Sequence, residues 1–202
     1  MLLFNNIRMK ISKHTKSNFD KYIIIHGCPP SENNIIPKSQ RWMNWIGKEL
    51  IKRGLNAFAP DMPTPWNPKY EGWKREFEKY SPNENTLLIG HSCGAAFLVR
   101  WLLESKIKVR KLILVAPAKV PEGPTDKRKA LYDFELRPES KKIAGEIVIF
   151  TSNDFEHHLK SLEFYKKYLN PRVIKLKNKV HFLIYTMGTN EFPELLDEIL
   201  YK

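Results

Sequence analysis

Short apolar runs recur along this chain, and each is followed by a stretch whose apolar residues return at helical spacing. Several of the runs are apolar throughout, as parallel strands covered on both faces are. Strands that alternate with helices in this way predict a doubly wound parallel sheet of about six strands. The predicted strands are residues 22–25, 55–59, 86–89, 111–116, 146–151 and 172–176.

The predicted helices complete a layered domain. Tyr70, Trp73 and Phe77 follow one another at the spacing of one helix face. Residues 95–103 are apolar nearly all round, which predicts a central, buried helix. The chain between residues 116 and 146 leaves room for a loop and a short helix, but not for a lid. We therefore predict one three-layer α/β domain over residues 21–202, with helices on both faces of the sheet and no cap.

The first twenty residues fit this pattern less well. Two interpretations stay open for them: a basic N-terminal tail, or an added edge strand around residues 9–12.

The chain has 202 residues and a formal net charge of +12, a balance shared with many nucleic-acid-binding proteins. Its basic residues are scattered, however, and most are lysine, whereas base-reading sites favour the bidentate guanidinium of arginine. No apolar run approaches the ~20 residues of a membrane span, and the apolar start is too short for a secretory signal. We predict a cytoplasmic protein that binds neither nucleic acid nor a membrane.

The sequence Gly90-His91-Ser92-Cys93-Gly94 lies between a predicted strand and the predicted buried helix. A G-x-S-x-G sequence in that context is typical of a nucleophile elbow, whose sharp turn leaves no room for side chains at the glycine positions. The turn lifts the Ser92 hydroxyl above the sheet edge, at a helix N-terminus that favours developing negative charge. Ser92 is therefore the predicted nucleophile.

A serine hydroxyl is a weak nucleophile, so it needs a base, and the base needs an orienting carboxylate. In this kind of fold the chain order is serine, acid, histidine. Asp154 follows the fifth predicted strand, and His181 follows the sixth. We predict Asp154 as the acid and His181 as the base, with Asp126 as the rival acid.

Two backbone amides are predicted to stabilise the oxyanion of a tetrahedral intermediate. One belongs to Cys93, the residue after the nucleophile, and the other to Cys28, in the loop after the first strand. These are the two cysteines of the chain, too few for a disulfide framework or a zinc site made of cysteines. No metal site is predicted.

Three loops are predicted to form the substrate mouth: residues 62–73, 117–137 and 153–158. The first is rich in proline and aromatic residues, which suit an apolar substrate wall. The predicted substrate-binding residues are Trp66, Tyr70 and Phe155.

Together these features resemble the small, cap-less serine hydrolases of the YdeN-like or retinoblastoma-binding-protein type, in the α/β-hydrolase superfamily. The features that carry the resemblance are His26-Gly27, Asp61-Met62-Pro63, the sequence from Gly90 to Gly94, the Asp154 loop and Val180-His181-Phe182. Two positions depart from it. The acid loop of the family often reads Asp-Pro-x-Val-Pro, whereas residues 154–158 here include His157 and His158, and Val180 stands where the family has glycine.

The resemblance implies a hydrolase without a cofactor and specifies no particular substrate. We predict a carboxylesterase-like serine hydrolase that cleaves small esters, thioesters or amides through an acyl-Ser92 intermediate. The alternative is a non-catalytic interaction protein that has kept the fold, because fold alone does not establish chemistry.

Overall fold

Six parallel strands form one sheet in the computed structural model, which describes residues 19–201. The strands are β1 (Lys21–Ile25), β2 (Ala57–Phe58), β3 (Thr86–His91), β4 (Val109–Val115), β5 (Ala144–Thr151) and β6 (Arg172–Lys175). Their order is β2-β1-β3-β4-β5-β6, so all six predicted strands are confirmed. The order reverses between β1 and β3, and in open α/β sheets ligands bind outside the carboxyl ends of the strands at such a switch point.

Helices cover both faces of this sheet. The helices are α1 (Trp42–Lys52), α2 (Tyr70–Glu78), α3 (Cys93–Ser105), α4 (Lys129–Tyr132), α5 (Glu156–Leu169), α6 (Ile184–Met187) and α7 (Pro193–Tyr201). One face packs against α2, α3 and α5, and the other against α1 and α7. This is the three-layer α/β arrangement that the sequence predicts.

The alternation of side chains along the strands explains why both faces are apolar. In β1, Ile23 and Ile25 face the layer of α3, whereas Ile24 faces the layer of α1. All three are almost completely buried. Burial of apolar surface in two layers is the main favourable contribution to folding, and it fixes where the carboxyl end of each strand lies.

The segment between β4 and β5 contains α4 and a 3-10 turn over Pro138–Ile143, so no cap is inserted there. No helix within residues 19–201 is long and apolar enough to cross a bilayer. Residues 1–18 and residue 202 lie outside the described part of the chain. The choice between a basic tail and an edge strand near residues 9–12 therefore stays a prediction.

Candidate active site

Ser92 lies at the sharp turn between β3 and α3, with φ 52° and ψ −117°. The two glycines around it are required by close backbone contacts. A Cβ on Gly90 would lie 2.6 Å from the Cα of Ala95, and one on Gly94 would lie 2.5 Å from the carbonyl oxygen of His26. Real Cβ atoms do not approach backbone so closely. Residues 90–94 thus form the predicted nucleophile elbow.

The position of Ser92 is fixed through its backbone. Its amide donates to the carbonyl of Val115 at 2.9 Å, which ties the turn to the end of β4. The side chain lines a cavity, and its hydroxyl contacts the sulfur of Cys93 at 3.9 Å. Within the described residues, Ser92 and His181 line the same cavity without a direct hydrogen bond.

His181 and Asp154 are joined by a hydrogen bond of 2.8 Å from Nδ1 to Oδ2. The other carboxylate oxygen of Asp154 accepts the amide of Phe155 at 2.7 Å. Burial raises the pKa of Asp154 and lowers the pKa of His181 to about 3, so the imidazole is neutral near pH 7. A neutral imidazole whose Nδ1–H is held by a carboxylate keeps a lone pair on Nε2.

The rival acid is engaged elsewhere. Asp126 accepts hydrogen bonds from the Arg128 guanidinium at 2.6 Å and from the backbone amides of Arg128 and Glu122. These contacts order the loop between β4 and α4. The carboxylate that reaches His181 is that of Asp154.

Two further histidines hold His181 in place. His91 donates from Nε2 to the carbonyl oxygen of His181 at 2.9 Å. The ring of His158 stacks on the His181 ring, with centroids 3.9 Å apart and planes 20° apart. Sequence reasoning did not find this stacking, and the only available signal was the unusual pair of histidines in the acid loop.

His26 connects the loops that follow β1 and β2. Its Nε2 accepts the amide of Met62 at 2.9 Å, and its Nδ1 donates to the carbonyl of Gly27 at 2.7 Å. Burial lowers the pKa of His26 to about 4, so the ring is neutral and can accept this bond. Gly27 is constrained as well, because a Cβ there would lie 3.0 Å from the Cβ of Ser92.

Cys28 and Cys93 lie side by side, as their predicted roles require. Burial and a hydrogen bond to Cys93 raise the pKa of the Cys28 thiol. Burial opposes ionisation of Cys93, but hydrogen bonds from Cys28 and from the Tyr132 hydroxyl, at 3.2 Å, lower its pKa overall. The backbone amide of Cys28 is close to the Cys93 sulfur, so an oxyanion would have to compete with that sulfur for this donor.

A cavity of about 320 Å³ opens above Ser92 at the switch point. Most of its lining comes from two segments far apart in sequence, residues 26–43 and residues 181–189. A hydrogen bond of 3.0 Å from the Trp42 indole to the carbonyl of Phe182 joins the two walls. Most of the lining is apolar, including Ile35, Met43 and Ile184.

This cavity corrects the predicted substrate mouth. Of the three loops expected to form it, only Pro65 lines the cavity, and Trp66 does not. Tyr70 is buried between α2 and α3, where its hydroxyl donates to Glu104 at 2.7 Å, and it is not part of the cavity lining. Phe155 is 56% exposed and stacks on His157, outside the cavity lining.

One group of side chains within residues 19–201 has the composition of a metal site. Asp154, His158 and His181 each offer a ligand atom, and these atoms lie within 4.8 Å of one another.

A doubly wound parallel sheet with a nucleophile elbow after a central strand defines the α/β-hydrolase class. The structure is similar to the crystal structure of the YdeN gene product of Bacillus subtilis, with a TM-score of 0.73, 20% identity and coverage of 89% of this chain and 96% of that chain. It is also similar to Est1E from Butyrivibrio proteoclasticus, with a TM-score of 0.57, 16% identity and coverage of 94% and 92%. At these identities the likeness establishes the fold.

The chain belongs to the serine hydrolase family, whose sequence pattern matches residues 22–199. Among curated proteins, it is 33% identical over 97 residues to the hydrolase YdeN of Bacillus subtilis. That match covers 46% of this chain and 48% of YdeN, so it spans about half the length of the curated relative.

Proposed function

We propose that this serine hydrolase cleaves carboxylic esters through an acyl-enzyme intermediate on Ser92, with His181 as general base and Asp154 as its orienting partner. The observation that carries the proposal is the position of Ser92. Its strained turn holds the side chain in the lining of the cavity that the Asp154-bound His181 also lines. A shared cavity lining and the Asp154–His181 hydrogen bond support the roles of nucleophile, base and orienting acid.

In the acylation step, Nε2 of His181 takes the proton from the Ser92 hydroxyl while Oγ attacks the ester carbonyl carbon. The imidazolium then gives that proton to the departing alkoxide, which leaves as an alcohol. The Asp154 carboxylate holds Nδ1–H and stabilises the positive charge. The Ser92 hydroxyl turns from the Cys93 sulfur toward His181 when substrate is bound, since catalytic hydrogen bonds often tighten only in the complex.

We assign stabilisation of the negative charge on the tetrahedral intermediate to the backbone amides of Cys93 and Cys28. The Cys93 amide is at the first position of α3, where an N–H has no acceptor within the helix. It is therefore available to donate to a carbonyl oxygen that becomes an oxyanion. In the second half of the reaction, water attacks the acyl-enzyme while His181 takes a proton from that water. His181 then returns the proton to Oγ of Ser92 as the carboxylic acid leaves.

The cavity favours substrates with an apolar group next to the ester bond. Ile35, Trp42 and Phe182 are among its walls. The cation in the wall, Arg41, already pairs with Asp61 at 2.9 Å, so it offers little free charge to an anionic substrate. We propose esters as the preferred substrates over thioesters and amides. The cytoplasmic location and the absence of a nucleic-acid partner stay predictions.

Labelling with a fluorophosphonate probe tests this proposal. Wild-type protein should be labelled at Ser92, and Ser92→Ala should lower kcat on p-nitrophenyl esters by roughly 10⁴–10⁶. Ser161→Ala is the matched control, because Ser161 is equally buried but lies on α5 away from the cavity, and this variant should still be labelled. Wild-type protein that takes up no probe and hydrolyses no ester would favour the alternative, a non-catalytic interaction protein.

A further inference from the structure

We propose that Asp154, His158 and His181 form a binding site for a divalent transition ion of the zinc type, and that the ion inhibits the hydrolase when it binds there. The binding is inferred from the geometry of the three side chains. The inhibition rests in addition on the role of His181 in the proposed function.

The three side chains are already close to a coordinating arrangement. One oxygen of Asp154 and one ring nitrogen of each histidine lie within 4.8 Å of one another. Zinc–ligand bonds of about 2.0–2.2 Å in tetrahedral geometry place ligand atoms about 3.4 Å apart. The widest pair must therefore close by no more than about 1.4 Å, which requires rotation of the two imidazole rings within the cluster.

The proposed catalytic chemistry does not use His158, and one of its ring nitrogens lacks a hydrogen-bond partner within the described residues. His158 is 8% exposed, and its Nδ1 is buried with no hydrogen-bond partner within the described residues. Its near-parallel stacking on His181 brings the two imidazoles to the same carboxylate. A buried imidazole nitrogen without a partner is unfavourable, and a metal ion would satisfy it.

The ligand set selects the kind of ion. Two imidazoles and one carboxylate, with a fourth position open to water, match a zinc-type site. Magnesium and calcium prefer six or more oxygen ligands, which this cluster does not offer. The proposed site depends on residues 154–158, the acid loop of this chain. His158 lies in the part of that loop that differs from the Asp-Pro-x-Val-Pro pattern of the family.

Binding would remove the general base. In the free protein the proton of His181 is on Nδ1, bonded to Asp154, and the lone pair of Nε2 is free to accept the Ser92 proton. A metal ion bound to Nδ1 requires that proton to leave this atom, and the neutral ring then carries it on Nε2. An imidazole protonated on Nε2 cannot accept the serine proton, so hydrolysis stops without any change at Ser92.

Titration calorimetry with zinc chloride tests the binding, on protein free of affinity-tag histidines. Wild type should bind one equivalent of zinc. His158→Phe should bind at least about 100-fold more weakly, because loss of an outer-shell partner alone costs about 10- to 100-fold and His158 is a direct ligand. Phenylalanine keeps a stacked ring and removes the nitrogens. The matched control is His157→Phe, because His157 is the neighbour of His158 but is not part of the cluster, and it should bind zinc like wild type.

The same three proteins are then assayed for ester hydrolysis, each relative to its own rate without metal. Zinc should inhibit wild type and His157→Phe at the concentrations that saturate binding. At those concentrations it should not inhibit His158→Phe, and magnesium should inhibit none of the three proteins. Wild type that binds zinc but hydrolyses no ester would contradict the proposed function and leave the metal site standing. Equal zinc binding by His158→Phe and wild type would overturn the site.

If His158→Phe does not fold, the wild-type protein alone decides. Crystals soaked in zinc should show an anomalous peak between Asp154, His158 and His181. A zinc peak elsewhere, or no peak at a concentration that saturates calorimetric binding, would overturn the proposal.

Discussion

The two sides of the candidate site are held in place by different kinds of force. The nucleophile elbow has one residue with positive φ, Ser92. It lies between two glycines at which a Cβ would come within 2.5–2.6 Å of backbone atoms. The opposite side, residues 178–182, has three such residues, Asn178, Val180 and Phe182, and none of them is glycine. It is held by hydrogen bonds and ring stacking at His181.

The two sides differ in how clearly the sequence indicates them. Steric exclusion at the elbow permits glycine alone, so it leaves a fixed motif. Hydrogen bonds and stacking tolerate several residue types, so the histidine side leaves a weaker pattern.

Asp154→Asn tests the histidine side by removing the charge that orients His181. We expect kcat to fall by about 10⁴, by analogy with the same change in the serine-protease triad, because the amide favours the wrong imidazole tautomer. Steady-state kinetics measure this. Asp126→Asn is the control and should retain most activity, because Asp126 pairs with Arg128. The assignment of the acid is wrong if Asp126→Asn is inactive while Asp154→Asn behaves like wild type.

Gly94→Ala tests the elbow by adding one methyl group where there is no room. The new Cβ would lie 2.5 Å from the carbonyl oxygen of His26, so we expect the free energy of unfolding to fall by about 3 kcal/mol. Urea denaturation measures this. In Gly72→Ala, on α2, the nearest side-chain atom is 3.7 Å away, and the change should stabilise the helix by about 0.5–1 kcal/mol. Equal stability of the two variants would show that the elbow is not sterically closed.

Low pH should lower the free energy of unfolding, because two histidines on the elbow side are buried and neutral. Burial lowers the pKa of His26 to about 4 and that of His91 to about 3, whereas both titrate near 6.5 when unfolded. The unfolded chain therefore binds more protons below pH 6.5, and stability falls as the pH falls from 6.5 toward these folded-state values. Between pH 7.5 and 5.5 we expect a loss of about 1 kcal/mol from each histidine.

Urea denaturation at the two pH values measures this loss, and His91→Asn separates the contribution of His91. An asparagine amide can still donate toward the carbonyl of His181 but does not titrate. The variant should lose about 1 kcal/mol less than wild type over the same interval. An unchanged pH dependence would mean that His91 binds protons equally in the folded and unfolded states, so that burial does not lower its pKa.

Val180→Gly should release strain on the histidine side. Val180 has φ 46°, a conformation that is costly for a β-branched residue and free of strain for glycine. We expect the free energy of unfolding to rise by about 1 kcal/mol. Val173→Gly, on β6, makes the same substitution in a strand and should lower stability by about 0.5–1 kcal/mol. If both changes destabilise the protein alike, Val180 is held by contacts that outweigh its strain.

The sequence by itself determined the order of strands and helices, the elbow and the pairing of Asp154 with His181. Each follows from local chemistry: apolar runs mark buried strands, glycines mark a turn without space, and the carboxyl ends of parallel strands meet at one edge. The triad residues predicted in this way each lie in the turn or loop that follows a strand.

Only the tertiary structure decided which residues face the substrate. The cavity walls are joined by a bond between Trp42 and Phe182, which are 140 residues apart. The sequence predicts Tyr70 in that wall, but its side chain is buried and its hydroxyl donates a hydrogen bond to Glu104 on the neighbouring helix. Likewise, His158 stacks on His181 because β5 and β6 are neighbours in the sheet. Such contacts depend on how loops from distant strands fold over one another, and no short-range pattern in the sequence records them.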